Sequence, residues 1–187
     1  VSAADTPAWT GWRGPNAAGH AATSIANWPP TLPAPAWTAK TGEGHASPVI
    51  DSQRICTFGR IAEDEVAACY DRSSGKQFWR AASPTPYDMN PAARGHGKGP
   101  KSTPLIHNGV LYTLGIAGRL SAYDLSTGKV LWQKEFSSDY KSTSPLYGTA
   151  VSPIAIDGML IAHVGGHNSG ALTAFDLKTG AVKWKWA

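Results

Sequence analysis

The residues of this 187-residue chain best suited to holding a ligand are basic and stand ahead of two proline-led strands: His45 before the first, and Arg94, His96, Lys98 and Lys101 before the second. Exposed N–H groups in the glycine-rich run Gly95-His96-Gly97-Lys98-Gly99 suit an anion. The run leads into a strand rather than a helix, so it is not a phosphate-cradling loop. His163 and His167 stand four apart, the spacing that puts two metal ligands on one helix face. Their segment ends a strand in a glycine turn, so that geometry fails. His20 and His107 read as surface polar residues. Glu63-Asp64-Glu65 is predicted to be a solvated hairpin tip, and no Ser/His/Asp order can be assembled. The chemistry that remains is binding.

Positioning those residues falls to a repeat. Asp71-Arg72-Ser73-Ser74-Gly75-Lys76-Gln77-Phe78-Trp79 returns as Asp124-Leu125-Ser126-Thr127-Gly128-Lys129-Val130-Leu131-Trp132, and again as Asp176-Leu177-Lys178-Thr179-Gly180-Ala181-Val182-Lys183-Trp184. The tryptophans are thus 53 and 52 residues apart, a period of the kind that marks stacked or radial units. Each unit opens on Ser/Thr-Pro, at Ser47-Pro48, Thr103-Pro104 and Ser152-Pro153. Short β-prone runs separated by turn residues make four strands per unit.

Local chemistry explains both markers. An Asp side chain bonds backbone N–H groups two or so residues on, and Gly takes the left-handed conformation cheaply, so Asp-x-x-Ser/Thr-Gly is a hairpin between the third and fourth strands. A proline lacks the ladder N–H and belongs at a strand start. Four-stranded units that cannot bury both faces alone arrange themselves radially. A tryptophan in each fourth strand then covers the joint between blades, worth on the order of 5 kcal/mol gross if about 200 Å² is buried. The fold predicted is all-β: a β-propeller of four-stranded antiparallel blades, an incomplete array of about three blades plus an N-terminal strand. An extended segment spans 1–36, and the propeller spans 37–187, with a strand at 37–41 and blades at 46–82, 101–137 and 150–187.

Aligning the Ser/Thr-Pro markers makes His45, Lys101 and Ala150 equivalent, each just ahead of an innermost strand. His45, Lys101 and Arg94, with His96, are therefore the candidate site for an anionic or polyhydroxylated ligand at the channel mouth; the plainer reading is a hydrated channel with scattered charges. Cys56 and Cys69 fall opposite one another in a regular ladder. They form either a cross-strand disulfide or simple packing like that of Tyr112 with Ala122 and Ile161 with Ala174.

Composition agrees. Charged residues are 16% of the chain against 20 Gly, 14 Pro and 8 Trp, a balance favouring short strands and tight turns. The net charge of +4 is scattered, without the dense basic stripe that nucleic acid demands. No apolar run reaches membrane-spanning length. Val1-Ser2-Ala3-Ala4 has the small-residue character of a signal-peptide cleavage site, which points to export to the periplasm or cell envelope.

On the segment Leu120 to Trp132 above all, the chain resembles the pyrroloquinoline-quinone-like propeller family, which includes quinoprotein alcohol dehydrogenases and the propeller lipoprotein of the barrel-assembly machinery. The resemblance covers 37–187; Trp9-Thr10-Gly11-Trp12-Arg13-Gly14-Pro15-Asn16 also looks like the opening segment of bacterial members, and Trp37 resembles a fourth-strand tryptophan without its blade in front. Family rings of seven or eight blades imply a truncated chain here, or else a ring closed by self-association. The enzymes of the family imply adjacent cysteines, calcium ligands, an Asp base and pyrroloquinoline quinone. This chain has no Cys-Cys pair, so no cofactor is expected in it. The preferred reading is an exported, non-catalytic scaffold for cell-envelope proteins or a small polar ligand. Part of a quinone-dependent dehydrogenase, with calcium, is the alternative, and a carbohydrate-processing accessory unit suggested by Tyr87, Tyr140 and Tyr147 is a third.

Overall fold

A computed structural model of the chain describes residues 8–14, 17–20, 30–136, 147–165 and 170–187. Three four-stranded antiparallel sheets follow one another along the chain. Blade one is β1 (Val49–Ile50), β2 (Arg54–Ile61), β3 (Asp64–Asp71) and β4 (Gln77–Pro84). Blade two is β5 (Leu105–His107), β6 (Val110–Leu114), β7 (Arg119–Asp124) and β8 (Val130–Glu135). Blade three is β9 (Ile154–Ile156), β10 (Met159–Val164), β11 (Ala171–Asp176) and β12 (Val182–Trp186). Within each sheet the spatial order is the chain order. The proposed cleavage-site residues, Tyr140 and His167 lie outside the described residues.

The Asp-x-x-Ser/Thr-Gly turn is the same object three times. Asp71 Oδ1 accepts from the backbone N–H groups of Ser73 and Ser74 at 3.1 and 2.8 Å and from both hydroxyls at 2.6 and 2.7 Å; Asp124 does the same with Ser126 and Thr127. These donors stabilise the carboxylate, and the pKa values of Asp71 and Asp124 fall to about 2. Asp176 falls to about 2 as well, chiefly through Lys183 and then Thr179. Gly75, Gly128 and Gly180 close the turns at φ of 72°, 74° and 67°.

Each turn is also a dock. The indole Nε1–H of Trp79 donates to the Leu125 carbonyl of blade two at 2.9 Å, and Trp132 donates to the Leu177 carbonyl of blade three at 3.0 Å. Their rings lie flat against the turn glycines: a Cβ on Gly128 would meet the Trp79 ring at 2.5 Å, and one on Gly180 the Trp132 ring at 2.7 Å. Trp37 fills the first dock, donating to the Arg72 carbonyl at 3.1 Å against Gly75. It does so as the strand-four tryptophans do, although residues 37–41 carry no assigned strand. Around these docks sit two cores. Val49, Cys56, Phe58, Cys69 and Trp79 of blade one meet Ile106, Leu111, Tyr123 and Leu125 of blade two. Tyr112, Leu114, Leu120 and Trp132 meet Leu160, Val164 and Phe175.

Polar stitches run along the inner strands. Ser47 N–H donates to Thr103 Oγ1 at 3.2 Å, and Thr103 N–H donates to Ser152 Oγ at 2.9 Å. The marker hydroxyls of blades two and three thus each satisfy a backbone donor of the blade before, a role their sequence position alone did not disclose. The N-terminal segment lies across the same strands, with Trp9 exchanging both backbone hydrogen bonds with Ile50 at 2.7 and 2.8 Å.

Two sequence readings are decided here. Cys56 and Cys69 form a disulfide across β2 and β3 with Cα atoms 4.1 Å apart. The acidic triplet is not uniformly a solvated tip: the turn falls at Ala62 and Glu63, while Glu65 is turned into the joint at 3% exposure. Its Oε1 accepts from the Ile116 N–H of blade two at 2.7 Å, and its Oε2 lies 3.4 Å from Thr85 Oγ1. Blades two and three carry Gly118 and Gly170 at the equivalent position, so this carboxylate belongs to one joint only. Burial drives its pKa above the ordinary 4.5, against the opposing pull of the Ile116 N–H, Arg60 and Arg119.

Four outcomes are expected. Gly128→Ala, which drives a Cβ into Trp79 at positive φ, should cost about 2–4 kcal/mol in urea unfolding, whereas Trp79→Phe, which keeps a ring but loses the indole donor, should cost about 1–3 kcal/mol. Removing the disulfide in the double variant C56V/C69A should cost about 3 kcal/mol by the same measurement, the value for a loop of this size. Glu65 binds its proton more tightly folded than unfolded, so its contribution is most favourable at low pH and is lost as pH rises from 4.5 through the folded value. Glu65→Gln should therefore flatten that part of the stability–pH profile, and an unchanged slope would mean that the carboxyl does not titrate in the joint.

Candidate functional site

The residues expected at a channel mouth come from two distant stretches, and a loop brings three of them together. Between blades one and two, Asn90 caps a short 3-10 helix, Pro91–His96, by accepting from the Ala92 N–H at 3.0 Å. The chain leaves this turn at Gly97 and returns to blade one: the Pro100 carbonyl accepts from the N–H groups of His45 and Ala46 at 2.8 and 3.2 Å. Gly44 permits that approach, since a Cβ there would sit 2.9 Å from the Pro100 oxygen.

His96 is the node. Its carbonyl lies 3.0 Å from His45 Nε2, which makes Nε2–H the donor, and 3.1 Å from the ammonium of Lys101. Lys101 also donates to the Gly97 carbonyl at 3.3 Å. Partial burial lowers the Lys101 pKa, and the Glu43 carboxylate nearby opposes that shift. Glu43 Oε1 in turn accepts from the Lys98 N–H at 3.2 Å, while its backbone forms a bridge with Arg60. The His96 ring stands edge-on to Tyr147 with centroids 4.8 Å apart. Arg94 sits exposed on the 3-10 helix, beside this cluster in sequence but with its side chain outside those bonds. Ala150, equivalent to His45 and Lys101 in the repeat, adds no polar group.

Sequence reasoning named His45, His96 and Lys101 without seeing that the first and last hold the loop of the second. It missed Glu43 and the edge contact of Tyr147, because both depend on where an irregular loop lands. The cluster presents N–H donors, two imidazoles, an aromatic edge and a cation tempered by a carboxylate. Among the described residues the histidine ring bonds run to the His96 carbonyl and, for His107, to Asn108. His163 lies exposed in β10, paired with Leu172. No group of three His, Cys, Asp or Glu side chains among the described residues is arranged to hold a metal.

Comparison with known proteins follows the architecture. The chain is 25% identical over 150 residues to the quinohemoprotein alcohol dehydrogenase ADH-IIG of Pseudomonas putida, a match that covers 75% of this chain and 19% of that protein. It is 31% identical over 87 residues to the outer membrane protein assembly factor BamB of Yersinia pestis, covering 46% of this chain and 21% of that one. The chain therefore spans about a fifth of the length of these curated relatives. Among solved structures it superposes on a europium-containing methanol dehydrogenase with a TM-score of 0.59 at 18% identity, over 80% of this chain and 26% of the other. On BamB from Moraxella catarrhalis the TM-score is 0.53 at 19% identity, over 79% and 39%. Both likenesses are of fold, and both are to proteins built on the same blades. The model of the family described as outer membrane protein assembly factor BamB matches residues 62–187, so the chain belongs to that pyrroloquinoline-quinone-like propeller family.

Proposed function

We propose that these blades form an interaction module of an exported cell-envelope propeller, non-catalytic in themselves, which holds a protein partner or a small polar ligand at the mouth built by His45, Arg94, His96 and Lys101. The observation that carries this reading is the shared grip of His45 and Lys101 on the His96 carbonyl. It ties to blade one the irregular loop that carries the exposed Arg94 and His96, with Tyr147 edge-on to the His96 ring. The assembly role in the name of the Yersinia relative makes proteins of outer-membrane assembly the partner class to test, and the buried disulfide suits an oxidising compartment.

The likeness to quinoprotein dehydrogenases raises a cofactor, pyrroloquinoline quinone with calcium, and the described residues do not fit it. The two cysteines are thirteen apart rather than adjacent, both are fully buried in the core of blade one, and Trp79 pairs beside Cys69. They cannot line a quinone seat, so no step is assigned through that group.

The test is cross-linking of the tagged chain in a periplasmic extract, with H45A/R94A/K101A alongside. The triple variant should keep its circular dichroism and lose at least tenfold of the cross-linked envelope partner. Equal recovery by both chains would refute the mouth as the binding surface.

A further inference from the structure

One residue of each innermost strand turns its backbone away from its own blade. Ile50, Ile106 and Ala155 are equivalent, each three residues beyond its Ser/Thr-Pro marker serine or threonine and each opposite a second-strand residue, Ile55, Leu111 and Leu160. In blade one the N-terminal segment takes this edge: the Trp9 N–H donates to the Ile50 carbonyl at 2.7 Å, and the Trp9 carbonyl accepts from the Ile50 N–H at 2.8 Å. In blade two the Thr10 carbonyl accepts from the Ile106 N–H at 2.7 Å. The segment then turns back on itself, Gly14 N–H donating to the Gly11 carbonyl at 2.9 Å, before it reaches blade three.

Among the described residues nothing takes the Ala155 N–H. It opens instead on a pocket of about 410 Å³ between that turn and the inner strands of blades two and three, lined by Thr10, Gly11, Trp12, Leu105, Ile154 and Ile156 among others. Its apolar wall is left to solvent: Trp12, Ile154 and Ile156 are 57%, 47% and 50% exposed.

We infer that the inner edge of β9 at Ala155 binds an extended peptide segment of a partner protein, which adds to the strand as Trp9 adds to β1. A strand residue's N–H and C=O, facing outward as a pair, match the backbone of another strand and give sequence-tolerant affinity, while flanking pockets select side chains. The two equivalent edges in this molecule are filled by polypeptide, one by the full two-bond exchange, which argues for peptide over sugar or inorganic anion. The exposed isoleucines and Trp12 favour an apolar or aromatic residue beside the pairing position. This site extends the reading of the chain as an interaction module by naming a partner class. It shares no residue with the His45, His96 and Lys101 cluster, so the two stand or fall separately.

The experiment uses the isotope-labelled chain and a synthetic hexapeptide copying residues Pro7 to Trp12, acetylated and amidated. Titration should shift the Ala155 amide resonance and protect it from hydrogen exchange. Ala155→Pro removes the one donor while sparing the β10 ladder, because that N–H faces away from β10, and should weaken binding about tenfold; Ala155→Val should bind within about twofold of the parent. A peptide N-methylated at its first tryptophan, which cannot donate to the Ala155 carbonyl, should also lose about tenfold, and it needs no change in the protein. Shifts confined to Ile50 and Ile106, unchanged affinity with the N-methylated peptide, or no shift at millimolar peptide would each overturn the proposal. H45A/K101A should leave this binding intact, whereas it removes the mouth.

Discussion

An indole N–H reaching across a gap to a carbonyl on the next blade is the interaction on which this structure depends. A four-stranded blade buries neither face alone, so its neighbours must be held at one distance and one angle. Trp79 and Trp132 do both at once: the hydrogen bonds to Leu125 and Leu177 set direction, and the flat contact with Gly128 and Gly180 sets separation. The docking turn has its shape because Asp71, Asp124 and Asp176 gather the local N–H groups. The repeat is therefore one device in two halves, a probe on the fourth strand of one blade and a socket at the third-strand end of the next.

Against this regular device stands one irregular joint. Glu65 crosses from blade one to the Ile116 N–H of blade two, with Arg60 directly opposite it in the ladder and Arg119 nearby. Gly115 makes room, for a Cβ there would collide with the Glu65 carboxylate. Arg60 itself is held by the Thr85 carbonyl and Glu63. The two acidic populations respond to pH in opposite senses: the turn aspartates, held near 2, lose their contribution only as pH falls below the ordinary aspartate range, whereas Glu65 loses its own as pH rises.

What the sequence disclosed follows from the range of the physics. The Asp-x-x-Ser/Thr-Gly turns, the hairpin register that pairs Cys56 with Cys69 and Phe58 with Ala67, and the joint-covering tryptophans were legible because each is a local rule repeated at a fixed period. The disulfide itself stayed open, since Tyr112–Ala122 and Ile161–Ala174 occupy the same place without one. Glu65 misled because a charged triplet beside a hairpin normally faces water; the clue was its replacement by Gly118 and Gly170 in the sister blades. The grouping of His45, His96 and Lys101 was half legible. Repeat alignment placed His45 and Lys101 together, but the landing of the loop at Pro100, and with it Glu43 and Tyr147, depends on contacts between residues some fifty positions apart.

Every docking bond points forward along the chain. Trp37 reaches a carbonyl 35 residues later, Trp79 one 46 later and Trp132 one 45 later. A ribosome therefore releases each probe well before its socket exists. At common elongation rates the wait for 46 residues is on the order of 2–9 s, during which the newest blade shows an uncovered apolar face. Assembly is vectorial by construction: the growing end is always the unfinished one, and the apolar surface that a chaperone must shield moves with it, blade by blade, while every joint behind it is already closed.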